Sequence, residues 1–115
     1  MHEYHIIENV VKQAVEAAGK SGASGITRVE LAVGELSGLE ESSIRLYFDD
    51  LSKGTLAEKA ELVIKPVRAK LRCKSCDTVF TRGEDGFNCP DCGSSSVKAE
   101  SGKEFYIENI EIESP

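Results

Sequence analysis

The placement of four cysteines limits this chain more than any other feature. Cys73, Cys76, Cys89 and Cys92 form two C-x2-C pairs separated by twelve residues, and they are all the cysteines present. Two residues between paired cysteines let both thiolates point at one ion, so the four sulfurs can enclose a single metal tetrahedrally. Cys89-Pro90-Asp91-Cys92-Gly93 suits such a turn, because Pro presets it and Gly permits a left-handed exit. Lys74, beside the first pair, offsets part of the thiolate charge. The surrounding segment, 68–102, is rich in Ser, Gly, Lys and Asp. A piece of about 35 residues cannot build a sufficient core alone, so ligation has to supply its stability. Zn(II) is the predicted ion. An iron centre of rubredoxin type and a redox-active C-x-x-C pair are the alternatives. Two disulfides are disfavoured, because no secretion signal is seen and cytosolic thiols stay reduced. With four protein ligands the ion keeps no open position, which predicts a structural role.

Periodicity on either side of this segment predicts an α+β domain. Over residues 4–18, Ile7, Val11, Ala14 and Ala18 recur at helical spacing, widened by Val10 and Val15. Val29, Leu31 and Val33 alternate with Arg28, Glu30 and Ala32, predicting a strand over 26–33. A turn over 34–38 precedes a second helix from about Glu41 to Lys53, with Ile44, Tyr47, Phe48 and Leu51 as its buried stripe and Gly54 as its end. A second strand covers 61–67, and Pro66 suggests an edge or an exit. After the cysteine segment, Phe105 and Ile107 are followed by Ile110 and Ile112. Their alternation slips by one residue, which predicts a bulge near Glu108-Asn109. The expected fold is therefore α+β, with two helices packed on a three-stranded mixed or antiparallel sheet. A zinc-ribbon-like module is inserted between its second and third strands. The expected domains are 1–67 with 103–115, and 68–102 as the metal module.

The amino terminus offers a second kind of site. Met1-His2-Glu3 places the terminal amine, the His2 amide nitrogen and the His2 imidazole in one short segment, and the Glu3 amide nitrogen completes a square. Planar nitrogen donors suit Ni(II) or Cu(II) and suit zinc poorly. Such a site depends on deprotonated donors and is open to water, so acid releases its metal and hand-over suits it better than storage. His5 is an additional candidate ligand, with a plain surface histidine as the alternative. Glu3 is a candidate to ligate, to orient His2 or to meet a partner, and Glu40 is a candidate carboxylate donor from the neighbouring turn.

Charge narrows the partners. The formal net charge is −6, which repels phosphate backbones. Arg68, Lys70, Arg72 and Lys74 form a basic stripe, read here as a solvated face. The module carries six basic and five acidic side chains, and four thiolates around Zn(II) leave it near −1, short of what a nucleic-acid reader needs. No run of ~18 apolar residues is present to cross a membrane. No nucleophile–base constellation or phosphate-cradling glycine loop appears, so the chain is not expected to be an enzyme.

Several motifs together resemble the HypA/HybF family. They are Met1-His2-Glu3 opening a helix, Val33-Gly34-Glu35-Leu36, Leu51-Ser52-Lys53-Gly54-Thr55, the paired C-x2-C motifs and Ile110-Glu111-Ile112-Glu113. The likeness covers essentially the whole chain, in order. It implies a cytoplasmic accessory protein that delivers nickel to the large subunit of [NiFe] hydrogenase. It further implies work with the GTPase HypB and, in some organisms, with urease accessory proteins. On this resemblance His2 matches the family's nickel ligand, and Cys73, Cys76, Cys89 and Cys92 match its structural zinc ligands. Tyr4 and His5 depart from the family pattern, which more often has Met or Leu followed by Ser. Two other classes are kept as alternatives: a zinc-ribbon module that binds protein or nucleic acid, and a thiol redox protein.

Overall fold

The computed structural model describes residues 2–82 and 86–115, the side chain of His2 excepted. Apolar residues at three- and four-residue intervals make its first element. Helix α1 (His2–Lys20) buries Ile7, Val10, Val11, Ala14 and Ala18 along one stripe. Strand β1 (Gly25–Gly34), helix α2 (Glu41–Ser52) and strand β2 (Glu61–Val67) follow, and then β3 (Lys70–Cys73), β4 (Val79–Thr81), β5 (Val97–Ala99) and β6 (Phe105–Glu113). Helix α2 buries Ile44 and Phe48, while Tyr47 and Leu51 are half-buried. The chain divides into two compact units. One comprises Met1–Ala32, Leu39–Lys65 and Tyr106–Pro115, and the other comprises Val33–Gly38 and Pro66–Phe105.

The first unit is built on a three-stranded sheet of order β2-β1-β6. The sheet is mixed. Strand β6 runs against β1, since the Ser24 amide donates to the Glu113 carbonyl and the Thr27 hydroxyl to the Glu111 carbonyl. Strand β2 runs with β1, since Arg28 meets Glu61 and Glu30 meets Lys65. Parallel neighbours need a crossover, and α2 is that crossover. Pro66 lies on an edge strand, where its missing donor is tolerated. Val29 and Leu31 of β1 are fully buried, and the two helices pack against each other. Tyr4 stands edge-on to Tyr47 with centroids 5.6 Å apart, joining the first turn of α1 to α2.

The polar side of this sheet carries a charged network. Lys65 Nζ lies 2.9 Å from Glu30 Oε1, and the Asn109 amide donates to Glu30 Oε2 at 2.8 Å. Arg28 pairs with Glu111 at 3.0 Å and with Glu61 at 3.4 Å. Adjacent residues Glu108 and Asn109 both reach the Lys65–Glu30 pair. Ile110 and Ile112 instead line a small cleft with Ala17, Ala18 and Ser21 of α1. This is the reversal of alternation that the slipped isoleucine pattern predicts.

The second unit holds an antiparallel sheet of order β4-β3-β5. Leu71 of β3 is buried opposite Phe80 of β4 and Ala99 of β5. The 33–38 turn, which the sequence reading keeps with the helical domain, lies in this unit. Its Glu35 amide donates to the Val67 carbonyl at 2.8 Å, and its Leu36 amide to the Gly102 carbonyl at 2.6 Å. The Glu35 carboxylate accepts from the Ala69 amide at 3.1 Å and pairs with Arg82 at 3.2 Å. Gly34, Gly102 and Ala69 approach closely beneath this turn. A Cβ on Gly34 would stand 2.1 Å from the Gly102 carbonyl oxygen, and one on Gly102 would stand 2.6 Å from the Ala69 Cβ.

Two outcomes follow. Gly102 has φ of +111°, so Gly102→Ala combines backbone strain with a steric clash and should destabilise the second unit by about 2 kcal/mol or more, read by chemical denaturation. Hydrogen bonds from Lys65 and then Asn109 hold the Glu30 carboxyl below its ordinary range. A depressed folded value stabilises above the unfolded pKa of about 4.3 and is lost as pH falls through the folded value. Glu30→Gln should therefore lower stability at neutral pH, and its difference from the parent chain should vanish in acid. A difference that stays constant from pH 7 to pH 2 would refute this linkage.

Candidate metal centre

Strand β3 delivers Cys73 at its last residue, and the chain turns at once to bring Cys76 back toward it. The turn closes when the Asp77 amide donates to the Cys73 carbonyl at 2.9 Å. The second pair repeats this turn, with the Gly93 amide donating to the Cys89 carbonyl at 2.8 Å. The residue after each pair is left-handed, Asp77 at φ 67° and Gly93 at φ 74°. Glycine adopts this conformation without steric penalty, and Asp is among the few other residues that tolerate it. In Asp77 the carboxylate also binds Arg72 at 3.1 Å.

The two turns face each other. Cys73 Sγ lies 3.6 Å from Cys92 Sγ, Cys76 Sγ lies 3.5 Å from Cys89 Sγ, and all four sulfurs fall within 4.8 Å of one another. Disulfide sulfurs would be about 2.05 Å apart, and all four cysteines are free thiols. A tetrahedron with metal–sulfur bonds of ~2.3 Å has edges of about 3.8 Å, so the spacing fits a four-thiolate ion such as zinc. Cys73 and Cys89 are buried, while Cys76 and Cys92 face solvent.

Electrostatics point the same way. Amide donors from Cys76 and Ser75 outweigh burial and draw the Cys73 thiol down to about 6. The Thr78 hydroxyl and amide, with Cys89, lower the Cys76 thiol as well. The Ser94 amide favours the Cys92 thiolate, but contact with Cys73, burial and the other two sulfurs push that thiol up to about 12. Like charges this close oppose one another's ionisation. A divalent cation removes the conflict and lets all four deprotonate.

The other expected site residues are placed as follows. Met1 and the side chain of His2 lie outside the described residues. Glu3 is half-buried in the first turn of α1. His5 is exposed, with Nδ1 3.7 Å from Glu8 Oε1 and its ring edge-on to Tyr4. Glu40 precedes α2 in extended conformation, and its carboxylate makes no capping hydrogen bond. Among the described residues, the four cysteines are the only group of three or more ligand side chains that converge, so Glu3, His5 and Glu40 form no such group. In the basic stripe, Arg68, Lys70 and Lys74 are exposed and Arg72 is half-buried. Arg72 binds Glu100 at 2.6 Å and Asp77 at 3.1 Å, and Arg68 donates to the Arg82 carbonyl. Spacing alone did not single out the residues that join the two turns. The Thr78 hydroxyl donates to Asp91 at 2.9 Å, and the Ser75 and Ser94 hydroxyls meet at 3.2 Å.

Fold and site together define a metal-binding α+β protein with a ribbon-like four-cysteine module. Comparison with known proteins carries this to a family. Residues 1–112 match the family described as "HypA: Hydrogenase/urease nickel incorporation, metallochaperone, hypA". The chain is 46% identical to the hydrogenase maturation factor HypA of Caldanaerobacter subterraneus subsp. tengcongensis, over 98% of this chain and 100% of that protein. It is 39% identical to the HypA of Chlorobaculum tepidum, over 98% of this chain and 100% of that one. The solution structure of the Ni metallochaperone HypA from Helicobacter pylori is similar, with a TM-score of 0.68, 28% identity and 98% of each chain covered. A second HypA solution structure gives a TM-score of 0.70 at 30% identity, covering 97% of this chain and 96% of that one. The chain belongs to the HypA family of metallochaperones for hydrogenase and urease nickel incorporation.

Replacing Cys89 with Ser should abolish the four-sulfur ligand field of bound Co(II) and remove amide exchange protection across β3, β4 and β5. A second unit that kept both its protection and its metal would remove the assignment.

Proposed function

We propose that this chain carries Ni(II) at its amino terminus and passes it to the large subunit of [NiFe] hydrogenase, while Cys73, Cys76, Cys89 and Cys92 hold a structural Zn(II). The reading draws on the family's role in nickel incorporation and on a H. pylori relative named a Ni metallochaperone. The observation that carries it is the start of α1 at His2. The first four amides of a helix have no intrahelical acceptor. The His2 and Glu3 amides can therefore release their protons to solvent and bind a metal through nitrogen without breaking a helical hydrogen bond.

In this mechanism the Met1 amine, the His2 amide and imidazole and the Glu3 amide form a planar shell for Ni(II). His5 and Glu40 remain accessory candidates for a further position. The zinc module holds the shape of a docking surface. A partner contact near the terminus disturbs the planar shell, and nickel moves on by ligand exchange. HypB supplies GTP hydrolysis, since this chain has no phosphate-cradling glycine loop of its own, and urease accessory proteins are a second outlet. The chain acts in the cytoplasm, where its thiols stay reduced. No helix among the described residues is long and apolar enough to cross a membrane. The nucleic-acid reading of the ribbon is weakened by the carboxylate partners of Arg72 and Arg82.

Nickel titration of the parent chain and of His2→Ala, read by d–d absorption, tests this directly. Loss of His2 should weaken binding beyond the 10- to 100-fold typical of an outer-shell change and remove the planar band. Persistence of that band in the variant would place nickel elsewhere.

A further inference from the structure

The two cysteine turns are joined by side chains as well as by any ion between them. On one flank the Thr78 hydroxyl donates to Asp91 Oδ2 at 2.9 Å, linking the residue two past Cys76 to the residue before Cys92. On the other flank Ser75 Oγ meets Ser94 Oγ at 3.2 Å, and Ser94 Oγ also accepts from the Ser96 amide at 3.1 Å. The Lys74 amide donates to the Ser96 carbonyl at 2.8 Å, so the Ser75 flank is tied to backbone as well. Each of these bridges runs from the first turn to the second.

We propose that Thr78, Asp91, Ser75 and Ser94 form a clasp that holds the two cysteine pairs at ligand distance and sets how tightly the module retains its metal. The inference rests on the zinc reading above. Four thiolates from two turns can enclose one ion only while those turns stay about one sulfur contact apart. Without cross-links, the ion alone must hold two like-charged sulfur pairs together. The clasp supplies part of that restraint in advance, so less order remains to be imposed when metal binds.

Thr78 Oγ1 also lies 3.2 Å from Cys76 Sγ, so the residue that reaches across to Asp91 stands beside one of the four sulfurs. Outer-shell partners of this kind typically contribute 10- to 100-fold to metal affinity.

The test uses the full chain and zinc itself, competed against a chromogenic chelator, with Co(II) spectra as a second readout. Thr78→Val keeps the shape of Thr78 and removes its hydroxyl. It should weaken zinc retention about tenfold or more, while the sulfur-to-cobalt charge-transfer bands stay those of four thiolates. Thr78→Ser restores a hydroxyl and should return retention to the parent value. Removing the second bridge with Ser75→Ala and Ser94→Ala should add a further loss. The proposal is overturned if Thr78→Val retains zinc as the parent does, or if Thr78→Ser is no better than Thr78→Val, which would make the effect one of packing. A parent chain with no four-thiolate cobalt spectrum would overturn the zinc reading and the clasp with it, a result distinct from parent-like retention in the variants.

Discussion

Four sulfurs crowded within 4.8 Å of one another are the constraint on which the second unit depends. Separate amide donors pull Cys73 toward the thiolate, while its neighbours push Cys92 away from it. A shared dication suits such a cluster, because it offsets the repulsion among the thiolates. The protein around it is thin. Among its described residues, the buried apolar side chains are Val33, Ala69, Leu71 and two of the cysteines. So small an apolar core cannot offset the backbone entropy of an ordered segment of this length. On the zinc reading, metal ligation therefore belongs to the folding of this unit as much as to its function.

The first unit obeys different rules. Its core is conventional, and the helix stripes and strand alternation were legible because each repeats a simple period over many residues. Ile7, Val11, Ala14 and Ala18 repeat at helical spacing, and all four are buried. Strand β2 could be placed from residues 61–67, and even the one-residue slip before Ile110 could be read from the apolar pattern. Less was legible in the second unit. Strands β4 and β5 are three residues each, too short to show a period, and they exist because β3 lies between them. The place of the 33–38 turn was hidden for a related reason. It is set by Glu35 reaching Ala69 and Arg82, contacts between residues more than thirty positions apart that no local pattern announces. At the candidate metal centre the convergence of four cysteines was plain from spacing, but Thr78, Asp91, Ser75 and Ser94 are common polar residues whose pairing appears only in three dimensions.

On the proposed reading, one chain holds two metals under opposite conditions. The sulfur cage has two buried ligands and cross-linked turns, so it opens only if the turns part. The amino-terminal site draws instead on the start of α1. Two of its proposed donors are helix-terminal amides, which cost no helical bond to deprotonate and recover their protons as readily when metal leaves. The helix dipole adds to this contrast. Its positive end disfavours a bare dication, yet Ni(II) with two amidate nitrogens carries no net charge from those groups, so the penalty is largely cancelled while the shell is intact. Once a competing ligand displaces one amidate and that nitrogen regains its proton, the ion is left with positive charge at the positive end of α1. The same dipole that tolerates the loaded state then favours departure, and transfer by ligand exchange needs no larger movement of the domain than the opening of that first shell.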